Sequence, residues 1–235
     1  MTDTPALAAI DWNAIAGQLD SGGHAVIPGL LSRERCAAVA ALYGEEARFR
    51  KRIVMGRHGY GSGEYQYFAY PLPGEVAALR AGLYPPLAAI ANRWQAALDR
   101  ETRFPDSHDA YLERCHAAGQ VRPTPLLLRY REGDYNRLHQ DVYGALLFPL
   151  QVIVLLSDPD RDFEGGELIV TEQRVRMQSR AEVVPLRQGD AAVIAVRDRP
   201  GQGARGPVKM AMRHGVSRVR SGERHTLGII FHDAS

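Results

Sequence analysis

The sequence predicts an α+β fold that is mainly β, with a strand-rich C-terminal half resting on N-terminal helices. Three observations predict it. From about Thr124 onward, short apolar runs alternate with glycine- and proline-marked turns, the pattern of successive strands. Before that point, apolar residues recur at helical spacing behind good capping residues. The chain has 235 residues, enough to bury one sizeable core, and it shows no internal repeat or second-domain boundary. The expected organisation is a single domain over residues 1–235, with 1–123 as helical support and recognition surface and 124–235 as the core that carries the chemistry.

Taken in order, residues 11–19 have helical spacing, with Trp12, Ile15 and Leu19 on one side. Residues 24–29 read as a short strand and turn. Ser32 is a good N-cap for a helix over 33–46, whose inner face would hold Cys36, Val39 and Leu42. Residues 48–52 are densely basic. They read either as a solvated helix end, where cations suit the helix dipole, or as a phosphate-facing surface. Residues 57–63 read as a flexible glycine-rich loop and 64–70 as an aromatic strand. Residues 74–100 are helical but interrupted at Pro85-Pro86, because proline removes an N–H and crowds the preceding turn. Residues 126–130 form a strand that runs into a turn at 131–134. The apolar run 146–156 is a buried strand, and 163–168 enters another through two glycines. Residues 185–190 turn into the apolar stretch 191–196. The arginine- and glycine-rich segment 197–205 reads as a loop. Ser221-Gly222 reads as a turn, so that Arg224 begins a last strand running to Phe231.

Composition narrows the function classes. The formal net charge is only +2, so there is no global basic field of the kind dedicated nucleic-acid binders often show. No run is apolar and long enough to span a bilayer. The start, Met1-Thr2-Asp3-Thr4-Pro5, lacks the basic flank and apolar stretch of a secretory signal. Two cysteines, Cys36 and Cys115, suggest reduced thiols rather than a disulfide framework. A cytoplasmic protein is the expectation.

The chemistry-bearing residues lie in the C-terminal half. Residues 137–141 read Arg-Leu-His-Gln-Asp, and Arg213-His214-Gly215-Val216 follows much later. On a strand, residues i and i+2 face the same way. His139 and Asp141 can therefore reach one metal ion with Gln140 pointing away, and His214 would come from an adjacent strand. Two imidazoles and a carboxylate make a facial set suited to non-haem Fe(II), with the remaining positions open. Arg224, ten residues beyond His214, stands where a fixed cation can take the far carboxylate of a chelating co-substrate. A guanidinium fork meets that need better than an ammonium. The structural alternatives are a satisfied core histidine at 139, a turn aspartate at 141, a surface cation at 224 and a core aromatic at Tyr130. His225 and His232 read as strand-end residues, not ligands.

With these residues in register, the segment from Thr124 to Asp233 resembles the catalytic core of the Fe(II)/2-oxoglutarate-dependent dioxygenases, in their prolyl-4-hydroxylase-like arrangement. The resemblance implies a double-stranded β-helix, a jelly-roll or cupin-like core buttressed by the N-terminal helices. It implies Fe(II) held by His139, Asp141 and His214, and 2-oxoglutarate anchored by Arg224. Tyr130, on the strand before the His-x-Asp pair, falls on the family's aromatic helper. Gly165-Gly166-Glu167-Leu168 and Gly189-Asp190 match further family elements. The implied reaction uses O2 to decarboxylate 2-oxoglutarate to succinate and CO2 and to hydroxylate an unactivated C–H bond, with ascorbate as a reductant.

The string from Arg129 through Gly133 and on to Leu138-His139-Gln140-Asp141 is similar to that of the alkylated-base demethylases. The whole chain looks like a bacterial branch of the superfamily labelled as oxygenases acting on damaged nucleic acid. It departs from the demethylases in carrying Leu128 where they usually have asparagine, and in the short, hydroxylase-like step from His214 to Arg224. Arg57, Tyr65 and Tyr67 are the candidate substrate contacts, since cations meet phosphates and rings stack on unpaired bases. Segment 197–205 would form the opposite rim. The leading expectation is oxidative demethylation of alkylated DNA or RNA. The alternative is hydroxylation of a protein or peptide, prolyl-type, or of a small molecule, with Tyr60, Tyr65, Tyr67 and Arg57 lining the mouth. A non-enzymatic 2-oxoglutarate or metal sensor is the second alternative, and the complete ligand set argues against it.

Overall fold

A computed structural model describes residues 5–142, 144–174, 176–203 and 206–235. Caps and spacing set the first helices. After a short α1 (Pro5–Ala8), the Asp11 carboxylate accepts from the N–H groups of Asn13 and Ala14, each at 3.0 Å, and starts α2 (Trp12–Gly22). Ile15, Ala16 and Leu19 are the buried residues of α2. β1 (His24–Ile27) follows. Ser32 caps α3 (Arg33–Ala41), which buries Cys36 and Val39. This helix stops short of residue 46 and passes into 3-10 turns over Leu42–Gly44 and Glu46–Arg48.

Three expectations for the N-terminal half need correction. The basic segment 48–52 is mostly strand rather than helix end: β2 (Phe49–Val54) pairs with β4 (Glu64–Phe68) at the edge of a sheet. Its arginines are engaged there. Arg48 pairs with Glu45, Arg52 with Glu64, and Arg50 donates to the Pro123 carbonyl at 2.8 Å. The glycine-rich stretch 57–63 is ordered by a 3-10 turn (Met55–His58) and by β3 (Gly61–Ser62), which pairs with Tyr135 and Asn136. Finally, α4 (Gly74–Ala97) runs unbroken through Pro85 and Pro86. Two ladder hydrogen bonds are missing there. Leu79, Leu83 and Tyr84 before the pair, and Leu87, Ile90 and Trp94 after it, nevertheless enter the same core. That continuous apolar face outweighs the local penalty.

After α5 (His108–Ala117) the chain is almost entirely strand. In order come β5 (Leu126–Arg131), β6 (Tyr135–His139), β7 (Leu150–Leu155), β8 (Phe163–Gly165) and β9 (Leu168–Gln173). Then follow β10 (Arg180–Val184), β11 (Ala191–Ala195), β12 (Asp198–Gly203), β13 (Gly206–Val216) and β14 (Val219–Ile230). Among the described residues these strands form two antiparallel sheets. The larger has the order β1-β11-β7-β14-β5-β4-β2, with β8 added on β14, and the smaller has the order β10-β9-β13-β6-β3, with β12 added on β13. This is the jelly roll, with helices on the outer face of the larger sheet.

Strand alternation assigns the two faces. Leu127, Val152, Val154, Val193, Leu227 and Ile229 point outward into one core with α2, α3, α4 and α5. Their neighbours Leu126, Gln151, Ile153, Thr226 and Gly228 line a cavity on the other side. Two more corrections belong here. Within segment 197–205, residues Asp198–Gly203 are strand β12, paired with β13, not a rim loop: Arg199 is buried, paired with Glu172, and donates to the carbonyls of Asp20 at 2.8 Å and Ser21 at 2.9 Å. Arg205 lies outside the described residues. Ser221-Gly222 is not a turn between strands, because β14 is continuous. A register shift between Val219 and Ser221 places a bulge there. The bulge explains why Arg220 is exposed and Arg224 buried despite their even spacing.

No helix of the described residues is long and apolar enough to cross a membrane. Helix α4 is locked to the end of β14 by a buried ion pair. Arg80 Nη2 meets Asp233 Oδ1 at 2.8 Å, Arg80 Nε donates to the Ile230 carbonyl at 2.9 Å, and Tyr70 donates to Asp233 Oδ2 at 2.8 Å. Burial alone would raise the Asp233 carboxyl, but Arg80, His116 and Tyr70 outweigh it and hold the group below its ordinary range. The ionised form is thus favoured in the folded state. Its stabilisation is complete above the unfolded value of about 4 and is lost as pH falls through the lower folded value. We expect Asp233→Asn to destabilise the protein at neutral pH by about 3–5 kcal/mol, because it strands the buried Arg80 charge. Urea titrations should show the gap from wild type closing below about pH 4, and a gap independent of pH would contradict the pairing.

Candidate metal centre and its cavity

The pairing of β13 with β6 sets His214 directly opposite His139. Close approach of the two strands explains the glycine after His214: a Cβ on Gly215 would lie 2.7 Å from the Asn136 carbonyl oxygen. The imidazole centroids are 4.2 Å apart. Asp141, just past the end of β6, reaches between them. Its Oδ1 lies 3.4 Å from His139 Nε2 and its Oδ2 3.3 Å from His214 Nε2. One ligand atom from each of the three residues lies within 4.8 Å of the others.

The local hydrogen bonds orient this cluster. His139 Nδ1 donates to the Arg137 carbonyl at 2.7 Å, which leaves the Nε2 lone pair facing Asp141. Gln140 points the other way, as alternation requires. Its amide donates to the carbonyls of Arg197 at 3.0 Å and Met212 at 2.7 Å. Burial alone would raise the Asp141 carboxyl, but the two imidazoles hold it well below the usual range. Burial would likewise lower His139, and Asp141 raises it instead, whereas burial prevails at His214 and lowers it. The donor set is thus an ionised carboxylate with two nitrogens. Its internal distances are close to the roughly 3 Å that separates neighbouring ligands around one first-row metal ion. The residues fit such an ion.

The cluster opens into a cavity of about 480 Å³, within the usual range for small-ligand sites. Arg224 projects into it from β14, opposite Tyr130 of β5. Its side chain is 2% exposed, yet Nε and Nη1 have no hydrogen-bond partner among the described residues. Burial pushes the guanidinium down to about 10, against the pull of Tyr130 and Glu167. The rings of Tyr130 and Phe163 lie 5.6 and 5.9 Å from its Cζ. Gly166, at φ +62°, leaves the room: a Cβ there would lie 2.9 Å from Arg224 Cδ. A buried cation with two idle donors is what an absent carboxylate would satisfy.

Of the candidate substrate residues, Tyr65 lines the cavity, and Arg57 and Tyr67 do not. Arg57 is exposed on the 3-10 turn leading to Gly59 and Tyr60, which do line it. Tyr67 is buried, with Arg50 4.5 Å above its ring and Tyr65 edge-on at 5.3 Å. The mouth carries exposed apolar groups instead: Tyr60 at 51%, Leu138 at 49% and Val142 at 47%. Tyr60 stacks on His58 with a centroid separation of 5.3 Å. Sequence reasoning also passed over Gln151, whose Nε2 lies 3.2 Å from His214 Nε2 and whose Oε1 has no partner among the described residues. It sits within an apolar run, and only strand parity with Ile153 marks it as inward.

Comparison with known proteins adds the following. Residues 63–234 match the model of the Oxygenase-NA family, described as an oxygenase catalysing oxidative methylation of damaged DNA. Two sequences from Mycobacterium tuberculosis, strains CDC 1551 and H37Rv, are each named as an uncharacterized protein. Both are 51% identical over 203 residues, covering 86% of this chain and 82% of theirs. A prolyl-4-hydroxylase from Pseudomonas putida superposes with TM-score 0.51 at 14% identity, over 95% of this chain and 99% of that one. An oxidoreductase of the 2OG-Fe(II) oxygenase family from Burkholderia pseudomallei gives 0.52 at 18%, over 97% and 94%. These two likenesses concern the fold.

The idle guanidinium generates a test. Arg224→Met fills the same space without buried, unpartnered donors. We expect it to raise the stability of the metal-free protein by about 1–3 kcal/mol in urea unfolding, the desolvation penalty of such groups. Destabilisation would mean that Arg224 is already satisfied within the fold.

Proposed function

This chain belongs to the Oxygenase-NA family and has the fold of the 2-oxoglutarate/Fe(II) oxygenases, and from that premise we propose that it is an oxidative demethylase of alkylated nucleic acid in which His139, Asp141 and His214 hold Fe(II) and Arg224 holds 2-oxoglutarate. The single observation that carries the assignment of residues is the facing of the three-residue cluster and the unpartnered Arg224 across one cavity. Bound Fe(II) with 2-oxoglutarate and O2 supplies a C–H-oxidising equivalent, and 2-oxoglutarate leaves as succinate and CO2. An N-methyl group hydroxylated in this way falls off as formaldehyde.

The chain's own residues do the rest. Arg137 fixes the His139 tautomer through its carbonyl, so Nε2 is free for the metal. Arg224 Nε and Nη1 take the distal carboxylate of 2-oxoglutarate, and Tyr130 borders the same pocket. Leu126, Leu128, Ile153, Leu168, Val216 and Ile230 line the cavity with apolar surface and exclude water. At the mouth, the Tyr60–His58 stack offers a flat face for a base, and exposed Arg57 and Arg137 supply positive charge beside it. Rings stack on any unpaired base, and cations meet the backbone.

Two outcomes test the site. Asp141→Ala should abolish Fe(II)-dependent succinate formation with an unchanged circular dichroism spectrum, and retained turnover would remove Asp141 from the ligand set. Arg224→Ala should weaken 2-oxoglutarate about ten- to a hundredfold, the worth of a charge-assisted hydrogen bond. The substrate is decided by product. Formaldehyde released from N-methylated oligonucleotides supports the reading, whereas oxygen addition to a proline-containing peptide with no formaldehyde would replace it with peptidyl hydroxylation.

A further inference from the structure

A second cavity, of about 230 Å³, is lined in part by residues 145–147, shortly after Asp141. Four arginines border it from three parts of the chain. Arg100 and Arg103 lie in the connection after α4, Arg114 lies on α5, and Arg197 lies between β11 and β12. Asp198 is the one carboxylate among the described lining residues. A single oxygen of it, Oδ2, serves both Arg100 at 2.9 Å and Arg197 at 3.1 Å. Arg103 and Arg114 donate to the main-chain carbonyls of Arg100, Thr102 and Arg103, and among the described residues neither has a carboxylate partner. Gln95 also lines this cavity. It is only 7% exposed, and its Oε1 has no hydrogen-bond partner among the described residues. A half-rotation of the amide presents N–H at the same place.

Positive charge therefore exceeds negative by three in a concave site that also holds an unpartnered buried amide. Several guanidinium forks brought together from three parts of the chain suit the multiple oxygens of a phosphate better than one planar carboxylate. We propose that this cavity is a phosphate-binding site.

Its place in the fold ties it to the metal cavity. Residues 139–142 line the first cavity and 145–147 the second. Three chain steps, at most about 11 Å, separate Val142 from Ala145. Gln140, between two candidate ligands, is held by the carbonyl of Arg197. A strand whose base enters the first cavity can rest a backbone phosphate in the second. The site itself does not depend on the substrate proposed above, but assigning its phosphate to a substrate strand rests on that reading.

The test is Arg103→Gln/Arg114→Gln in the full chain, with folding checked by circular dichroism. These two guanidiniums are free of carboxylates, so their loss spares the Asp198 pairs. Binding of inorganic phosphate is measured by calorimetry and of a single-stranded oligothymidylate by fluorescence anisotropy. Both are measured without Fe(II) or 2-oxoglutarate, so an inactive enzyme or a different prime substrate leaves the result intact. We expect the variant to bind the oligonucleotide about tenfold more weakly, with a salt slope smaller by roughly 0.7 for each phosphate that is no longer neutralised. Weakened phosphate binding with unchanged oligonucleotide binding keeps the site and assigns it to a free phosphate compound. The proposal is overturned if the wild type binds neither probe, or if the variant binds both as the wild type does.

Discussion

The two-residue alternation of the central strands is the constraint on which this molecule rests. β14 presents Leu227 and Ile229 to the helices and Thr226, Gly228 and Ile230 to the cavity. A one-residue slip would exchange the two sets, emptying the core of its apolar groups and pushing Arg224 against α3 and α4. The slip is resisted on both sides. β14 pairs over long registers with β5 and β7, and its end is held to α4 by Arg80 and Asp233. The bulge at residues 219–221 then resets parity once, so that Arg220 faces solvent while Arg224 faces inward.

The same alternation lets the fold tolerate a group it would otherwise expel. Arg224 is buried between Tyr130 and Phe163 with two donors idle. Neighbouring carboxylates would have quenched it. Glu167, the near one, is turned away to Ser217 and Arg220. The site therefore keeps its charge available at the expense of its own stability, as binding sites commonly do.

Legibility in the sequence followed the range of the interactions involved. α2, β1 and α3 are readable because Asp11 and Ser32 cap locally and the apolar spacing is short. The proximity of His139 and Asp141 is readable from strand parity, and that of His214 only through the resemblance, because it depends on a β13–β6 pairing that no local pattern encodes. Three of the misreadings share one cause. Pro85-Pro86, Arg50 with Arg52, and Arg199 each carry a local preference that a distant partner overrides: a shared core, Pro123 with Glu64, and Glu172 with the end of α2. The arginines of the second cavity are hidden for the same reason. Arg100 and Arg197 are far apart in sequence and meet only at Asp198.

The division of labour between the sheets has a mechanical side. His139 and His214 belong to the smaller sheet, whereas Arg224 and Tyr130 belong to the larger. A molecule held at one end by an ion on His139, Asp141 and His214 and at the other by Arg224, as proposed above, would be a strut across the gap between them. Its binding energy becomes cohesion of the sandwich, growing with the logarithm of its concentration once that exceeds the dissociation constant. Under the function proposed above, the lifetime of this protein against heat and proteases would be coupled to the supply of a small dicarboxylate, and a starved chain would be the more fragile one.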